Sequence, residues 1–303
     1  MLHFVAIICG LLFSFSAHAD TGKLKVAASF SILGDIVQQI GGDVIELHVL
    51  AGANSDAHVF EPTPADAKTL AGADLVIING LGFEGWIERL VSASGYKGEV
   101  LTASKGIKTL GQEEEHHDHD EHDHHGSVDP HAWHNVANVK TYVANIRDAL
   151  VKYDAANAAV YNARTRDYLL QLDKLDAWIK SEVAKVPQVK RKVITTHDSF
   201  RYFADGYGIS FIAPLGVSTD SDASAGDIAR LIDQLRAGQV QAVFLENISD
   251  GRVIRQLQAD AQAHIGGTLY SDALSEKSGK AGTYIDLMRH NTAQLVAGML
   301  HNH

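Results

Sequence analysis

The stretch that most restricts how this chain can fold is residues 154–186, which contain neither proline nor glycine and end just before Pro187. Proline breaks a helix by removing a backbone donor and clashing with the preceding turn, and glycine weakens it through conformational entropy. Within the run, Tyr161, Tyr168, Leu172, Leu175, Ile179 and Val183 recur at intervals of three, four and seven, which sets them along one helical face. With Asp154 as its N-cap, the reading gives about 32 residues of helix, roughly 48 Å long. That exceeds the width of one ordinary lobe, so the helix reads as a rigid strut between two bodies. A coiled-coil seam is the alternative, and the spacing is not a strict heptad.

On either side of the run, strand-like and helix-like segments alternate. Residues 24–28, 45–50, 75–79 and 99–102 read as strands. Ser31 is a cap for a helix reaching about residue 40, where Gly41-Gly42 stops it; Thr63-Pro64 opens another, and residues 84–93 and 135–153 form two more. Leu75-Val76-Ile77-Ile78 is apolar throughout, the pattern of a parallel strand covered on both faces. Beyond Pro187, strands at 192–196, 209–213, 242–245 and 268–270 alternate with helices at 199–207, 224–237, 251–263 and 284–300. The expected fold is α/β: two lobes, each a parallel four-stranded sheet with flanking helices, joined by one long rigid helix. The expected divisions are a leader at 1–19, an N-terminal lobe at 20–153, the linking helix at 154–186 and a C-terminal lobe at 187–303.

The leader is read from an apolar run, residues 4–16, followed by Ala17-His18-Ala19, an A-x-A cleavage signal. No Lys or Arg precedes it, so only the amino terminus supplies the usual positive charge. Cleavage after Ala19 would export the chain. The single cysteine, Cys9, lies in that leader, so thiolate metal sites and disulfides are excluded from the mature protein. A formal net charge of -11, with no basic cluster, argues against nucleic acid or anionic membrane as a partner and suits a collector of cations.

Seventeen histidines draw attention to metal, but most have ordinary explanations. His48, His264 and His290 stand alone, His301 and His303 sit at the terminus, and His134, one turn past His131, is ambiguous. Four residues differ in their placement. His58 lies in the loop after the second strand, His131 after the fourth, His197 at the end of the fifth and Asp272 at the end of the eighth. These are carboxyl ends of parallel strands, where α/β sheets place ligands, and each lobe supplies two. Singly, His58 also reads as a loop residue, His131 and Asp272 as helix-capping groups, and His197 as a core polar residue. Together, three imidazoles and one carboxylate suit Zn²⁺ in a closed tetrahedral site, whereas manganese prefers more oxygen. Glu61, Asp222 and Glu246 are candidates for orienting an imidazole, with solvated loop carboxylates as the plainer reading.

Ser55-Asp56-Ala57-His58-Val59-Phe60-Glu61-Pro62, Asp129-Pro130-His131-Ala132-Trp133, Thr196-His197-Asp198-Ser199-Phe200, Gly216-Val217-Ser218-Thr219 and Tyr270-Ser271-Asp272 follow one another in the chain. In this order they resemble the zinc- and manganese-uptake family of periplasmic solute-binding proteins, from about residue 23 to the end. The resemblance implies an interlobe metal site with His58, His131, His197 and Asp272 as ligands, and an ABC-type membrane permease as recipient. Manganese-binding members resemble the pattern but usually carry Glu at the third position, so His197 favours the zinc-binding branch. The lack of a cysteine pair departs from relatives that carry a disulfide.

Residues 113–125 hold six histidines, His116, His117, His119, His122, His124 and His125, among seven acids. Such a tract cannot bury a core and suits weak auxiliary zinc capture, with an idle acidic loop as the alternative. His117-Asp118-His119-Asp120-Glu121-His122 distantly matches a zinc-hydrolase motif, but it sits in a repetitive tract with no leading strand. The expectation is therefore a binding protein rather than an enzyme: a monomer that takes up Zn²⁺ and passes it to the permease, with a metal-delivering protein as a further partner. A manganese or iron carrier of the same fold, a metal-dependent adhesin, or a zinc-dependent hydrolase are the competing readings.

Overall fold

The computed structural model describes residues 22–111, 128–219, 240, 242–249 and 264–302, with scattered positions between 226 and 255. The expected leader, the His-rich tract, Asp222 and most of the helices expected at 224–237 and 251–263 lie outside the described residues.

The N-terminal lobe is built on β1 (Leu24–Phe30), β2 (Ile45–Ala51), β3 (Leu75–Ile78) and β4 (Glu99–Thr102), all parallel, in the spatial order β2-β1-β3-β4. The all-apolar β3 lies inside the sheet, as its sequence requires. The C-terminal lobe repeats the order as β6-β5-β7-β8, with β5 (Lys192–Ile194), β6 (Ser210–Ile212), β7 (Ala242–Glu246) and β8 (His264–Leu269). In both sheets the strand order reverses beside the first strand, so a crevice opens at the carboxyl edge. The two crevices face each other.

Helix α1 (Ser31–Gly41) covers the first sheet with Ile32, Leu33, Ile36, Val37 and Ile40, all buried. Ser31 does not cap it as expected: Phe30 occupies the cap position without a side-chain bond, and the Ser31 hydroxyl instead accepts the Leu274 N–H from the other lobe at 3.0 Å. Helix α2 (Pro64–Ala71) opens at a capping box between Thr63 and Asp66, worth about 1 kcal/mol. Helix α3 (Ile87–Ser94) and helix α4 (Val136–Tyr153), which Asn135 caps, complete this lobe.

The long helix α5 (Ala158–Ala184) joins the lobes, and its 27 residues span about 40 Å. It is shorter than expected because Asp154 ends α4 rather than opening α5: its carboxylate is engaged by the Tyr161 hydroxyl at 2.6 Å and the Asn157 amide at 2.7 Å. The apolar face read from the sequence is the buried one, Tyr161, Tyr168, Leu172, Leu175, Ile179 and Val183. Near its start, Arg164 lies over Gly42 and pairs with Asp43 at 3.0 Å; Gly42 has φ 59°, and any Cβ there would strike the guanidinium. Helix α6 (Arg201–Tyr207) and helix α7 (Tyr284–Met299) flank the second sheet.

Strand β8 starts earlier than the sequence suggested. Gly266-Gly267 reads as a strand breaker, but the β7–β8 register shifts there and the Phe244 ring occupies the space that a Cβ on Gly266 would need. The glycines form a bulge within the strand rather than its end.

One continuous apolar cluster runs from α1 through Trp133, Tyr142 and the α5 face to Phe203, Phe244 and Tyr284. A smaller one lies under α2 and α3. The lobes therefore share a core, and an apolar shared core resists large hinge motion. Among the described residues, no helix is long and apolar enough to cross a membrane.

Candidate metal centre

Where the two crevices meet, His58, His131, His197 and Asp272 each turn one donor atom inward, and all four atoms lie within 4.8 Å of one another. The Nε2 atoms of His58 and His131 are 3.2 Å apart. Asp272 Oδ2 lies 3.1 Å from His197 Nε2 and 3.3 Å from His58 Nε2, and its Oδ1 lies 3.6 Å from His131 Nε2. Around an ion bound at about 2.05 Å, tetrahedral donors sit roughly 3.3 Å apart. These four spacings cluster about that edge. Neither Asp272 oxygen accepts a well-aligned hydrogen bond, although the residue is fully buried. A buried carboxylate facing three imidazoles without aligned donors calls for a cation.

Each imidazole is positioned differently. His197 follows β5, and its Nδ1 lies 2.6 Å from Glu246 Oε2 at the end of the adjacent β7. The other Glu246 oxygen accepts the N–H groups of Thr196 and His197 at 2.7 and 3.0 Å. Glu246 is among the carboxylates that the sequence offers for orienting an imidazole, and its Oε2 stands beside the His197 ring. Asp129 does the same for His131, with Oδ1 2.8 Å from Nδ1 and 2.9 Å from the backbone N–H. Such contacts fix the tautomer and leave Nε2 for the metal. Asp129 was not singled out from the sequence; the Asp-x-His spacing was the available signal. Among the described residues, His58 has no carboxylate on its second nitrogen, and Asp56 takes only its backbone N–H, at 2.9 Å. Glu61 is exposed.

The His131 turn is held from both lobes. Asn79 donates to the Pro130 carbonyl at 2.9 Å, Tyr202 donates to the Asp129 carbonyl at 2.9 Å, and Trp133 Nε1 donates to the Ser271 carbonyl at 3.0 Å. Glu84, buried after β3, receives the N–H groups of Asn79 and Gly80 and the Ser29 hydroxyl, which fixes that support. Phe30, Phe83 and Trp133 wall the site on one side, with the Phe83 ring 4.7 Å from that of His58. Their apolar faces keep water out and strengthen charge interactions inside.

Burial works against charge on both Asp272 and His197, but the pairing overrides it. The His197 and His131 rings hold the Asp272 carboxyl well below its usual range, and Glu246 and Asp272 raise His197 well above the usual imidazole value. His134, also buried, does not join the four: it packs on Phe200 at 4.5 Å, and burial lowers it to about 3. His48 is exposed, and His290 is half-buried with its Nε2 2.9 Å from the Thr268 carbonyl.

The family model described as zinc-uptake complex component A, periplasmic, matches residues 26–298. The chain belongs to this family. It is a periplasmic metal-binding solute-binding protein of the ABC-transporter type, a transport component and not an enzyme. Among curated proteins it is 32% identical to the manganese-binding lipoprotein MntA of Halalkalibacterium halodurans, over 98% of this chain and 97% of that one. Among solved structures it is similar to the periplasmic zinc-binding protein TroA of Treponema pallidum, at 29% identity and TM-score 0.84, covering 92% of this chain and 99% of that one. It is also similar to a Mn-bound periplasmic metal-binding protein of Candidatus Liberibacter asiaticus, at 30% identity and TM-score 0.80, covering 91% and 100%. The family is thus the one the motifs resembled, while its zinc-specific branch is not singled out.

Proposed function

We propose that the chain binds one divalent transition-metal ion through His58, His131, His197 and Asp272 and delivers it to an ABC-type permease. The observation that carries this reading is the convergence of four buried donors, two from each lobe, without aligned proton donors among them. The donor set favours zinc, since three imidazoles and a carboxylate at near-tetrahedral spacing suit a borderline ion with no demand for high coordination. Manganese is the second reading, and the relatives support it better: MntA is named for manganese and the Liberibacter structure holds it, against one zinc-binding protein among the three. Asp272 also turns both oxygens toward the imidazoles, which permits chelation and a fifth bond for a harder ion.

Metal analysis and calorimetry on a variant lacking residues 113–125 test both levels of the reading. One tight metal per chain is expected, lost in the His58→Ala/His131→Ala double variant; tight binding by that variant would sink the site. Zinc outranks manganese at most nitrogen-rich sites, so the zinc reading fails if manganese binds as tightly as zinc. The His-rich tract is proposed to collect zinc weakly beside this site. The deletion should remove additional weak sites and spare the tight one.

A further inference from the structure

The donor from the first lobe that most needs outside support is His58, and its support reaches it from the second lobe. The His58 ring stands on a loop, retains slight exposure, and among the described residues has no carboxylate behind it. Its backbone N–H rests on Asp56 Oδ1 at 2.9 Å. The other Asp56 oxygen accepts the Thr219 hydroxyl from the opposite lobe at 2.6 Å. The turn that carries Thr219 is fastened to a second donor: Leu215 bridges His197 in parallel register, and Gly216 O accepts the Asp198 N–H at 3.1 Å. A continuous strap therefore runs behind the site, from His197 through Leu215 and Gly216 to Thr219, across to Asp56, and on to His58. A metal ion would join the same two rings at the front.

Building on the site reading above, we propose that Asp56 and Thr219 are positioning residues for metal retention, the back half of a ring that the ion completes. Neither residue touches the four donor atoms. Their shared hydrogen bond holds the His58 loop against the second lobe and so fixes where the His58 ring can stand. When that bond is absent, the loop keeps its own fold, with Asp56 still holding the His58 N–H, but loses its tether to His197. The ion then has one donor free to swing away, and release should accelerate more than capture. The neighbouring bonds Asn54 N–H to Leu274 O at 2.8 Å and Asn247 to Asn54 at 3.2 Å restrain the loop farther from the ring, so the loss should be partial.

The test uses the full chain loaded with Zn²⁺, which a three-imidazole site binds whichever metal is its natural cargo. Release to an excess of chelator is followed by stopped flow in wild type, Thr219→Val, Thr219→Ser and His58→Ala, with metal-free melting measured alongside. Thr219→Val, which keeps the shape and loses the hydroxyl, should release Zn²⁺ about five- to tenfold faster, the size expected for one half-buried hydrogen bond to a carboxylate. Thr219→Ser should return to within about twofold of wild type, and Asp56→Asn, measured alone and combined with Thr219→Val, should release no faster in combination than the faster single variant, since both remove the Asp56–Thr219 contact. Wild-type release from Thr219→Val, while His58→Ala is crippled, overturns the strap and leaves the site standing. Equal acceleration in Thr219→Val and Thr219→Ser also overturns it. Wild-type retention in His58→Ala overturns the site itself, and the strap with it.

Discussion

The lobes supply two donors each but mount them in opposite ways. In the C-terminal lobe, Glu246 ends β7, and His197 and Asp272 follow its sheet neighbours β5 and β8; all three side chains are fully buried. In the N-terminal lobe the donors follow the two edge strands, β2 and β4, on longer loops, and His58 is the one donor with residual exposure. The sheet-mounted half also holds most of the charge, with Asp272 and Glu246 both against His197. The loop-mounted half supplies imidazoles whose aim depends on Asp129, Asn79 and bonds from the other lobe. On the proposed site, the sheet-mounted half is a charged base and the loop-mounted half closes the donor set.

The largest effect should come from removing that charge. Asp272→Asn leaves a dication among three neutral rings, and binding should weaken by well over about a hundredfold, beyond the usual range for residues outside the ligand set. His58→Ala should weaken it less, because the edge position can be taken by water. Calorimetry on both, in the background lacking residues 113–125, tests the ranking. If His58→Ala costs more than Asp272→Asn, the division into a charged base and a closing half is wrong.

A smaller effect separates the two orienting carboxylates. Glu246→Gln and Asp129→Asn should each reduce affinity by about 10- to 100-fold. Glu246→Gln should fall nearer the larger figure and should also lower metal-free stability, because the same carboxylate receives two backbone N–H groups. Asp129 receives one, from His131. Equal losses of both affinity and metal-free melting temperature would remove the asymmetry between the lobes.

Much of this division could be read from residue order alone. Strand ends are recognisable wherever an apolar run stops at a polar residue, which is why the positions of His197 and Asp272, just past β5 and β8, are legible in the residue order. The loop-mounted half was less legible, since a loop carries no period to show where a side chain stands. Asp129 was passed over because a carboxylate two residues before a histidine is common and becomes an orienting group only when the turn folds back. Ser31 was misread for a related reason: a serine at a helix start satisfies the capping pattern locally, but its true partner, Leu274, is 243 residues away. Local rules cannot rank a cap against a distant donor. Asp154 was misplaced because a cap and a stop use the same residue types, and the Tyr161 hydroxyl that decided between them is a tertiary contact.

The smallest expected effect concerns stability against acid in the metal-free protein, where the two lobes pull in opposite directions. His134, from the first lobe, is buried between Trp133 and Phe200, and burial lowers its pKa to about 3. An unfolded histidine titrates near 6.5. Below that value the unfolded chain takes up a proton that folded His134 refuses, so its contribution is complete above about pH 6.5 and declines as pH falls toward 3. His197, in the second lobe, has the opposite sign. Glu246 and Asp272 raise its pKa despite burial, so it contributes fully below the unfolded value and loses that contribution as pH rises through the raised one. Across pH 6 to 4.5 the His197 contribution is therefore flat, and the acid slope belongs to His134 together with carboxylates such as Asp272, whose lowered pKa acts in the same direction at still lower pH. Denaturant unfolding of the metal-free protein at several pH values should show stability falling on acidification, by up to about 1.4 kcal/mol per pH unit from one proton. His134→Leu should flatten that slope whatever it does to stability at neutral pH. Parallel slopes for wild type and His134→Leu would mean that His134 does not carry the acid sensitivity, and that carboxylates held low in the fold, Asp272 first, do; Glu84 and Asp35, raised by burial, act in the opposite direction.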